Sequence, residues 1–417
     1  MQILPQVSIQ PDWHEAVRDV VGQDTAEESF WASCYKKGVE SIHGSVTIGK
    51  GSQPRSVKLQ GSDGITVEYI NSRSFKMGCK SLDISDVMVY GPRFEFDVKD
   101  KKSVNAIDVT SDGDMYALSQ DDRIIIGDLK DGKEVRVLQG HLGDVTTVRF
   151  FPSNQVILSG GADFQIKIWS AIDGSNPVTL LGHTSAITDT AIIDRGRNVL
   201  SSSRDGTIRL WHCGTGSTIS TVAQYSVPVT KILVCPLPSQ YTAATPDQLD
   251  EREVETGDKM VLAALGDGSV VGIHLGTKKE LFRRTEKQET PLTALAYHSE
   301  SGIFVTGDIH GKLSVYNQND QNPCLQWQRS EHAVTDLVIK LNEDGDLVVY
   351  VANADGSLYH TSSIVLAMKQ PESLRLAGEY TGSELESIHC LKAITSKEEN
   401  GHERLICGNR AGHVMIY

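Results

Sequence analysis

The sequence predicts an all-β fold, a seven-bladed β-propeller that follows a small, mostly β N-terminal domain. The main observation is that two neighbouring segments of the 417-residue chain carry one repeated pattern. The first segment runs from His141 to Trp169 and the second from His183 to Trp211, and a Gly precedes each His. The two histidines stand 42 positions apart (183 minus 141). A repeat of about 40 to 45 residues that opens with Gly-His and ends near a Trp is typical of a four-stranded propeller blade.

Serine and aspartate also recur at matched positions in both segments, which predicts a buried hydrogen-bond network. In each copy 22 positions separate the His from the Asp, and 6 separate the Asp from the Trp. We expect the Asp to accept from the His, the His to contact the Ser, and the Ser to accept from the indole N–H, because buried polar groups need partners. An alternative is a catalytic pair or a metal site at the His and Asp, but the fixed Ser and Trp favour a structural network. The predicted network residues are His141, Ser159, Asp163 and Trp169 in the first copy, and His183, Ser201, Asp205 and Trp211 in the second.

Composition and charge narrow the class of function. The chain is 39% hydrophobic and 23% charged, and its net charge of −14 argues against a general nucleic-acid binder, which would carry a basic surface. A negative charge instead favours a partner with a basic face. The N-terminal segment has no apolar core of a signal peptide, and no run approaches the about 18 apolar residues of a membrane span.

The cysteines point to a reducing compartment. Seven of them are scattered along the chain without a Cys-x-x-Cys pair. This usage predicts reduced thiols and no structural zinc, in a protein of the cytoplasm or the nucleus. We further expect a monomer before it enters any complex, with no cofactor, no nucleic acid and no membrane partner.

Residues 1–92 lack the repeat and are predicted to form a small, β-rich N-terminal domain with one short helix. Asp12 is expected to cap one short amphipathic helix that begins near Trp13. Trp13 and Trp31 are expected to anchor the core of this domain rather than to bind a partner. The β-rich segments that follow, separated by turn residues, are Phe30–Lys36, Ser41–Ile48, Ser56–Leu59 and Ile65–Phe75.

The propeller is predicted to occupy residues 93–417 in seven units, a number that closes a ring and limits exposed sheet edges. The third strand of the last unit is expected to end at Tyr417, so Phe94–Val98, within residues 93–98, is predicted to supply the outer strand of that unit. The alternative is that this segment is only a linker. Besides the two full copies, the units are residues 103–138, Val227 to Leu275, Pro291 to Trp327, Ala333 to about Met368, and Leu385 to Tyr417.

The fourth unit contains an acidic insertion, Pro236–Lys259, with three prolines and no apolar periodicity. We expect a mobile loop that leaves the hairpin between the first and second strands. It is either a tolerated, solvated insertion or a docking arm, and the first interpretation is favoured.

Motifs of catalysis are absent from the sequence. There is no phosphate-binding Gly loop, no Gly-x-Ser-x-Gly and no His-Glu-x-x-His. A propeller enzyme would need inward carboxylates or metal ligands at matched positions in several blades, and we find none that recur. We therefore predict a protein that is not an enzyme, with no catalytic, cofactor-binding or metal-binding residues.

The stretch Ala191–Gly216, and above all its hairpin Asp194-Arg195-Gly196-Arg197-Asn198, resembles the proteasomal ATPase-associated factor family of WD-repeat proteins. Phe150–Ser153, Gln165–Ser170 and the pair Asp12-Trp13 also match this family. Beyond Tyr225 only the general layout is shared.

The resemblance implies a non-enzymatic assembly chaperone of the proteasome regulatory particle. Members bind the small C-terminal helical domain of a proteasomal ATPase subunit and hold it while the base of the particle is built, which delays its docking on the core particle. In animals the family is also described as a negative regulator of the assembled proteasome. The runner-up is a generic WD-repeat scaffold, or a substrate receptor of another complex such as a ubiquitin ligase.

Propellers generally recognise partners on the face formed by the turns after their second strands and the loops that enter their first strands. On this chain that face is expected to be acidic, which would suit a basic helical domain and speed its encounter. The alternative for each carboxylate is an ordinary role within its turn. The predicted partner-binding residues are Asp144, Arg204, Asp267, Asp308, Glu331, Asp355, Glu384 and Glu386.

Overall fold

The computed structural model describes residues 1–22, 24–51, 56–285, 290–342, 344–395 and 403–417. Within these residues the strands form eight sheets, and seven of them, here called blades 1 to 7, follow one another along the chain. Blade 1 comprises Ala106–Val109, Met115–Gln120, Arg123–Asp128 and Glu134–Gln139; blade 2 Val145–Phe150, Val156–Gly161, Ile166–Ser170 and Val178–Leu180; blade 3 Ile187–Ile193, Asn198–Ser203, Thr207–His212 and Ser217–Gln224; blade 4 Val229–Pro236, Lys259–Leu265, Ser269–His274 and Lys279–Thr285. Blade 5 comprises Leu292–His298, Ile303–Asp308, Lys312–Asn317 and Leu325–Gln328; blade 6 Val334–Leu341, Leu347–Asn353, Leu358–Thr361 and Leu376–Tyr380; blade 7 Ile388–Thr395, Glu403–Asn409, His413–Ile416 and Phe94–Asp97.

The second strands form the deeply buried part of the blades. All seven residues of Leu347–Asn353 in blade 6 are buried, whereas only Leu138 is fully buried in the outer strand Glu134–Gln139 of blade 1. A short apolar run between turns is typical of a strand covered on both faces. Here the neighbouring blades supply that cover.

The blades are arranged in a ring. The first strand of each blade contacts the first strand of the next, and that of blade 7 contacts that of blade 1. Phe94–Asp97 pairs antiparallel with His413–Ile416 as the outer strand of blade 7, and the amide of Val98 donates to the carbonyl of Gly412 at 2.8 Å. This pairing joins the start of the propeller to its last blade and covers a sheet edge. The architecture confirms the predicted all-β propeller fold.

The N-terminal region is built into the propeller. Its sheet consists of Gln6–Ile9, Glu27–Tyr35, Ile42–Lys50 and Val57–Gly61, and helix Trp13–Gly22 packs on that sheet. Gln2–Ile3 pairs parallel to Leu325–Gln328 as a fifth strand of blade 5. Ile65–Asn71, Ser74–Cys79 and Ile84–Tyr90 extend blade 6 to seven strands.

One hydrophobic core joins the N-terminal region to blades 5 and 6. It contains Trp13 and Phe75 from the first part of the chain together with Trp327 and Tyr359 from the propeller. Trp13 is fully buried, and its Nε1 donates to Thr381 Oγ1 at 2.8 Å. The expectation that Trp31 is also a core anchor is wrong, because it is 43% exposed. It lies on the outer face of a strand whose alternate residues point into the core.

Blade 6 departs from the predicted unit boundary. The predicted end near Met368 falls inside a short helix, Ile364–Lys369, and the fourth strand, Leu376–Tyr380, comes after it. Ser363 caps this helix by accepting from the amide of Leu366. The described part of the chain contains no helix that is long and apolar enough to cross a membrane.

Candidate functional site

In blades 2 and 3 the structure brings the four predicted network residues of each copy into contact. In blade 3, Trp211 Nε1 donates to Ser201 Oγ at 2.8 Å, and the same oxygen lies 2.7 Å from His183 Nε2. His183 Nδ1 lies 2.8 Å from Asp205 Oδ2, which also accepts from the amide of Thr184. Each polar atom of the network therefore has a partner.

Blade 2 repeats this arrangement. Trp169 Nε1 donates to Ser159 Oγ at 2.8 Å, and His141 Nε2 lies 2.8 Å from that oxygen. His141 Nδ1 lies 3.0 Å from both oxygens of Asp163. The histidines and serines of both copies are buried.

Burial favours a neutral His in both networks, and hydrogen bonds favour an ionised Asp205 in blade 3. Burial lowers the pKa of His141 and of His183, although the neighbouring carboxylates act in the opposite direction. Burial alone would raise the pKa of Asp205, but hydrogen bonds from Thr207, Thr184 and His183 outweigh it and lower that pKa. A neutral imidazole that is bound at both nitrogens and shielded from water has no free atom to offer a substrate. We interpret both networks as struts, that is, as buried hydrogen-bond networks that stabilise their blades and take no part in catalysis.

The structure corrects the statement that inward carboxylates do not recur. Asp108, Asp189 and Asp336 lie on the first strands of blades 1, 3 and 6. Each carboxylate accepts from a backbone amide on the first strand of the next blade: Asp108 from Phe150 at 2.7 Å, Asp189 from Ile232 at 3.2 Å, and Asp336 from Leu391 at 2.8 Å.

Cations compensate two of these carboxylates directly. Lys392 Nζ lies 2.5 Å from Asp108 Oδ1, and Arg149 Nη2 lies 2.9 Å from Asp189 Oδ1. Burial raises the pKa of Asp336, whereas the charge of Lys231 acts to lower it. Because these acids are engaged by backbone amides and cations, they link neighbouring blades. The sequence signal for these acids is weak, because only Asp189 is an acid among the matched positions Thr147, Asp189 and Lys231, which follow one another at steps of 42 (189 minus 147, 231 minus 189).

The described residues offer no evident site for a metal ion. Among these residues, no group of three or more His, Cys, Asp or Glu side chains could hold a metal ion.

The predicted partner-binding residues differ in their exposure. Asp144 and Arg204 are exposed, each in a loop of its own blade. Glu331, Asp355 and Glu384 line one cleft together. Glu386 is partly buried and lies outside that cleft.

Two predicted residues serve their own turns. Asp308 is 6% exposed, and its Oδ1 accepts from the amides of His310 and Lys312 at 2.9 Å. Burial raises the pKa of Asp308. Asp267 is partly buried, and its Oδ1 accepts from the amide of Ser269 at 2.9 Å. The expectation that Asp308 is displayed on an open face is wrong, because its carboxylate replaces backbone partners inside the turn.

The cleft lined by Glu331, Asp355 and Glu384, here called the N-terminal cleft, lies between the N-terminal sheet and the turns of the propeller. Its volume is about 590 Å³. One wall comes from Gln6–Ile9 and from residues of strand Glu27–Tyr35, and the other comes from residues 329–332, 355–357 and 379–385. Sequence reasoning did not identify Trp31, Tyr35 or Leu385 as residues of a site, because the two walls are far apart along the chain.

The acidic insertion Pro236–Lys259 is held against blades 3 and 4, so the prediction of a mobile loop is wrong. Asn198 is fully buried, accepts from the amide of Val254 at 2.7 Å and donates to the carbonyl of Arg252 at 3.1 Å. Lys278 Nζ lies 2.7 Å from Glu253 Oε2, and the Glu253 side chain is only 5% exposed. Part of the negative charge of the insertion is thus used internally.

Comparisons with known proteins agree with this architecture. The family described as WD domain, G-beta repeat, matches residues 132–170 and 174–212, which lie within blades 1 to 3. Proteasomal ATPase-associated factor 1 of Homo sapiens is 38% identical over 149 residues, which are 35% of this chain and 36% of that protein. The protein of the same name from Bos taurus is 37% identical over 148 residues, 34% of this chain and 35% of that protein. These two matches therefore span only about a third of each relative.

A third relative extends the similarity to most of the chain. Probable proteasomal ATPase-associated factor 1 of Dictyostelium discoideum is 33% identical over 376 residues, which are 85% of this chain and 86% of that protein. An identity of this size over 85% of the chain shows that the chain belongs to the proteasomal ATPase-associated factor family.

Proposed function

We propose that this protein is a non-enzymatic factor that binds the C-terminal domain of a proteasomal ATPase subunit and delays the docking of that subunit on the core particle. The observation that carries the proposal is the similarity, over 85% of the chain, to a relative named for association with the proteasomal ATPase. The buried, fully bonded His and Asp of blades 2 and 3 support a binding role over a catalytic one.

The charge of the protein fits a basic partner. The net charge is −14, and Asp144 and Glu384 are exposed on separate blades. An acidic surface accelerates the encounter with a basic domain and makes the association sensitive to salt. All seven cysteines are free thiols, which is compatible with action in the cytoplasm and the nucleus.

The test is a pull-down with the full chain as bait and the separately expressed C-terminal domains of the six proteasomal ATPase subunits as prey. We expect one domain to bind, and to bind less at high salt than at low salt. Binding of equal strength at low and high salt would support the proposed partner but contradict the role of charge in the association. No binding to any domain would refute the proposal and leave a scaffold or substrate receptor for another complex.

Charge reversal gives the matched test of the acidic surface. We expect Glu384→Lys combined with Glu386→Lys to weaken binding of the captured domain. Unchanged affinity at low salt would exclude these two carboxylates from the interface.

A further inference from the structure

The N-terminal cleft contains a buried donor without a partner. The Arg329 side chain is 1% exposed and lines the cleft. Its Nε donates to the carbonyl of Pro5 at 3.2 Å, and its Nη2 lies 2.6 Å from Glu379 Oε2. Arg329 Nη1 has no hydrogen-bond partner among the described residues. Because a buried donor without a partner is costly, an acceptor atom from a water or a ligand would stabilise this N–H of Arg329.

One wall of the cleft is the edge of a sheet. Gln6–Ile9 pairs antiparallel with Glu27–Tyr35 and is the end strand in the order of the N-terminal sheet. All four of its residues line the cleft. An edge strand presents backbone donors and acceptors that an extended peptide can pair with. The carbonyl of Val7 already accepts from Arg329 Nη2 at 3.5 Å, so a peptide would pair with the rest of this edge.

The mouth of the cleft carries exposed apolar side chains. Trp31 is 43% exposed, Tyr35 is 44% exposed and Leu385 is 72% exposed. Such large side chains in water are candidates for contact with a partner, since aromatic residues dominate the binding energy of many interfaces.

The turn that presents Leu385 is strained. Glu384 and Leu385 adopt φ angles of 52° and 65°, which non-glycine residues rarely adopt in succession. Ser383 holds the turn by donating from its Oγ to the carbonyl of Gly356 at 2.5 Å. Strain that the surroundings maintain is common at binding sites.

Acidic groups surround this apolar and backbone surface. Glu331, Asp355 and Glu384 line the cleft, and Lys37 is engaged by Glu331 at 2.6 Å. A segment with a Lys or Arg side chain would find carboxylates here, whereas an acidic segment would be repelled.

We propose that the N-terminal cleft binds an extended segment of the protein partner, in which an apolar residue is flanked by basic residues. The segment adds to the edge of Gln6–Ile9, a carbonyl oxygen accepts from Arg329 Nη1, and the apolar side chain packs on Trp31 and Leu385. This inference rests on the proposed function, since it names the surface and the kind of segment through which the ATPase domain is held.

The test uses the full chain and the ATPase C-terminal domain that the pull-down captures. We expect Trp31→Ala combined with Leu385→Ala to raise the Kd about tenfold or more, since loss of interface anchors commonly has effects of this size. Both side chains are exposed, so folding should be retained, and circular dichroism checks this. Leu142→Ala is the matched control, because Leu142 is 86% exposed on blade 2 and does not line the cleft.

Photo-crosslinking provides a second readout that does not depend on affinity. A benzophenone amino acid in place of Trp31 should crosslink to the domain, and one in place of Leu142 should not. If the wild-type chain binds a domain but the double variant behaves like Leu142→Ala and no crosslink forms at position 31, the cleft is not the site and the proposed function stands. If the wild-type chain binds none of the six domains, both are refuted.

Discussion

Replacing Ser201 with Ala tests whether the His-Ser-Asp-Trp network is a strut of blade 3. Ser201 is fully buried, and its Oγ accepts from Trp211 Nε1 at 2.8 Å and lies 2.7 Å from His183 Nε2. The Ala variant leaves Trp211 Nε1 and His183 Nε2 buried without this partner. At about 1 to 3 kcal/mol for each unpaired group, the free energy of unfolding should fall by about 2 to 6 kcal/mol.

Ser119 offers a matched control. It is also a fully buried serine on a second strand, but its Oγ has no hydrogen-bond partner among the described residues. Ser119→Ala removes an uncompensated polar atom, so stability should stay within about 0.5 kcal/mol or rise.

Urea unfolding followed by far-ultraviolet circular dichroism measures both variants, because tryptophan fluorescence would itself change next to Ser201. Hydrogen exchange then shows whether the loss is confined to blade 3. Equal midpoints for Ser201→Ala and Ser119→Ala would refute the strut interpretation.

Three further predictions concern other parts of the chain. Arg329→Met leaves Glu379 buried without its cation, so the free energy of unfolding should fall by about 3 to 5 kcal/mol. Adding Glu379→Gln should recover part of this loss in urea unfolding, and no recovery would contradict the pairing of the two side chains. Burial lowers the pKa of His360 to about 4. As the pH falls from 6.5, the imidazole of His360 is therefore protonated in the unfolded chain before it is protonated in the folded chain, and the free energy of unfolding should drop by up to about 3 kcal/mol by pH 4. His360→Phe should make the free energy of unfolding depend less on pH. An unchanged slope would contradict the role of His360. Asn198→Ala removes both bonds to the insertion, so limited proteolysis should cut Pro236–Lys259 faster than in the wild-type chain, and an equal rate would count against the anchoring role of Asn198.

The contacts that the sequence predicts best are those that repeat from blade to blade. The matched positions of His183, Ser201 and Trp211 define one environment, because residues at a fixed offset in a repeat occupy the same place in each blade. The pairing of Phe94–Asp97 with His413–Ile416 could be argued from strand counting, since a blade with three strands needs a fourth.

Contacts between distant segments could not be read in this way. Arg329 bonds to the carbonyl of Pro5 and to Glu379, and neither spacing follows the repeat. Trp31 alternates with buried neighbours, but which face of its strand meets the core depends on how the N-terminal sheet packs on blades 5 and 6. The composition of Pro236–Lys259 predicts a mobile loop, whereas the buried amide of Asn198 bonds to its backbone at Arg252 and Val254.

The most direct test of the proposed function is native mass spectrometry of the purified full chain mixed in turn with each of the six ATPase C-terminal domains. We predict a complex of one chain with one domain for a single member of the six, and dissociation of that complex as the ionic strength rises. Spectra that show only free chain and free domain for all six would contradict the claim that this protein binds the proteasomal ATPase.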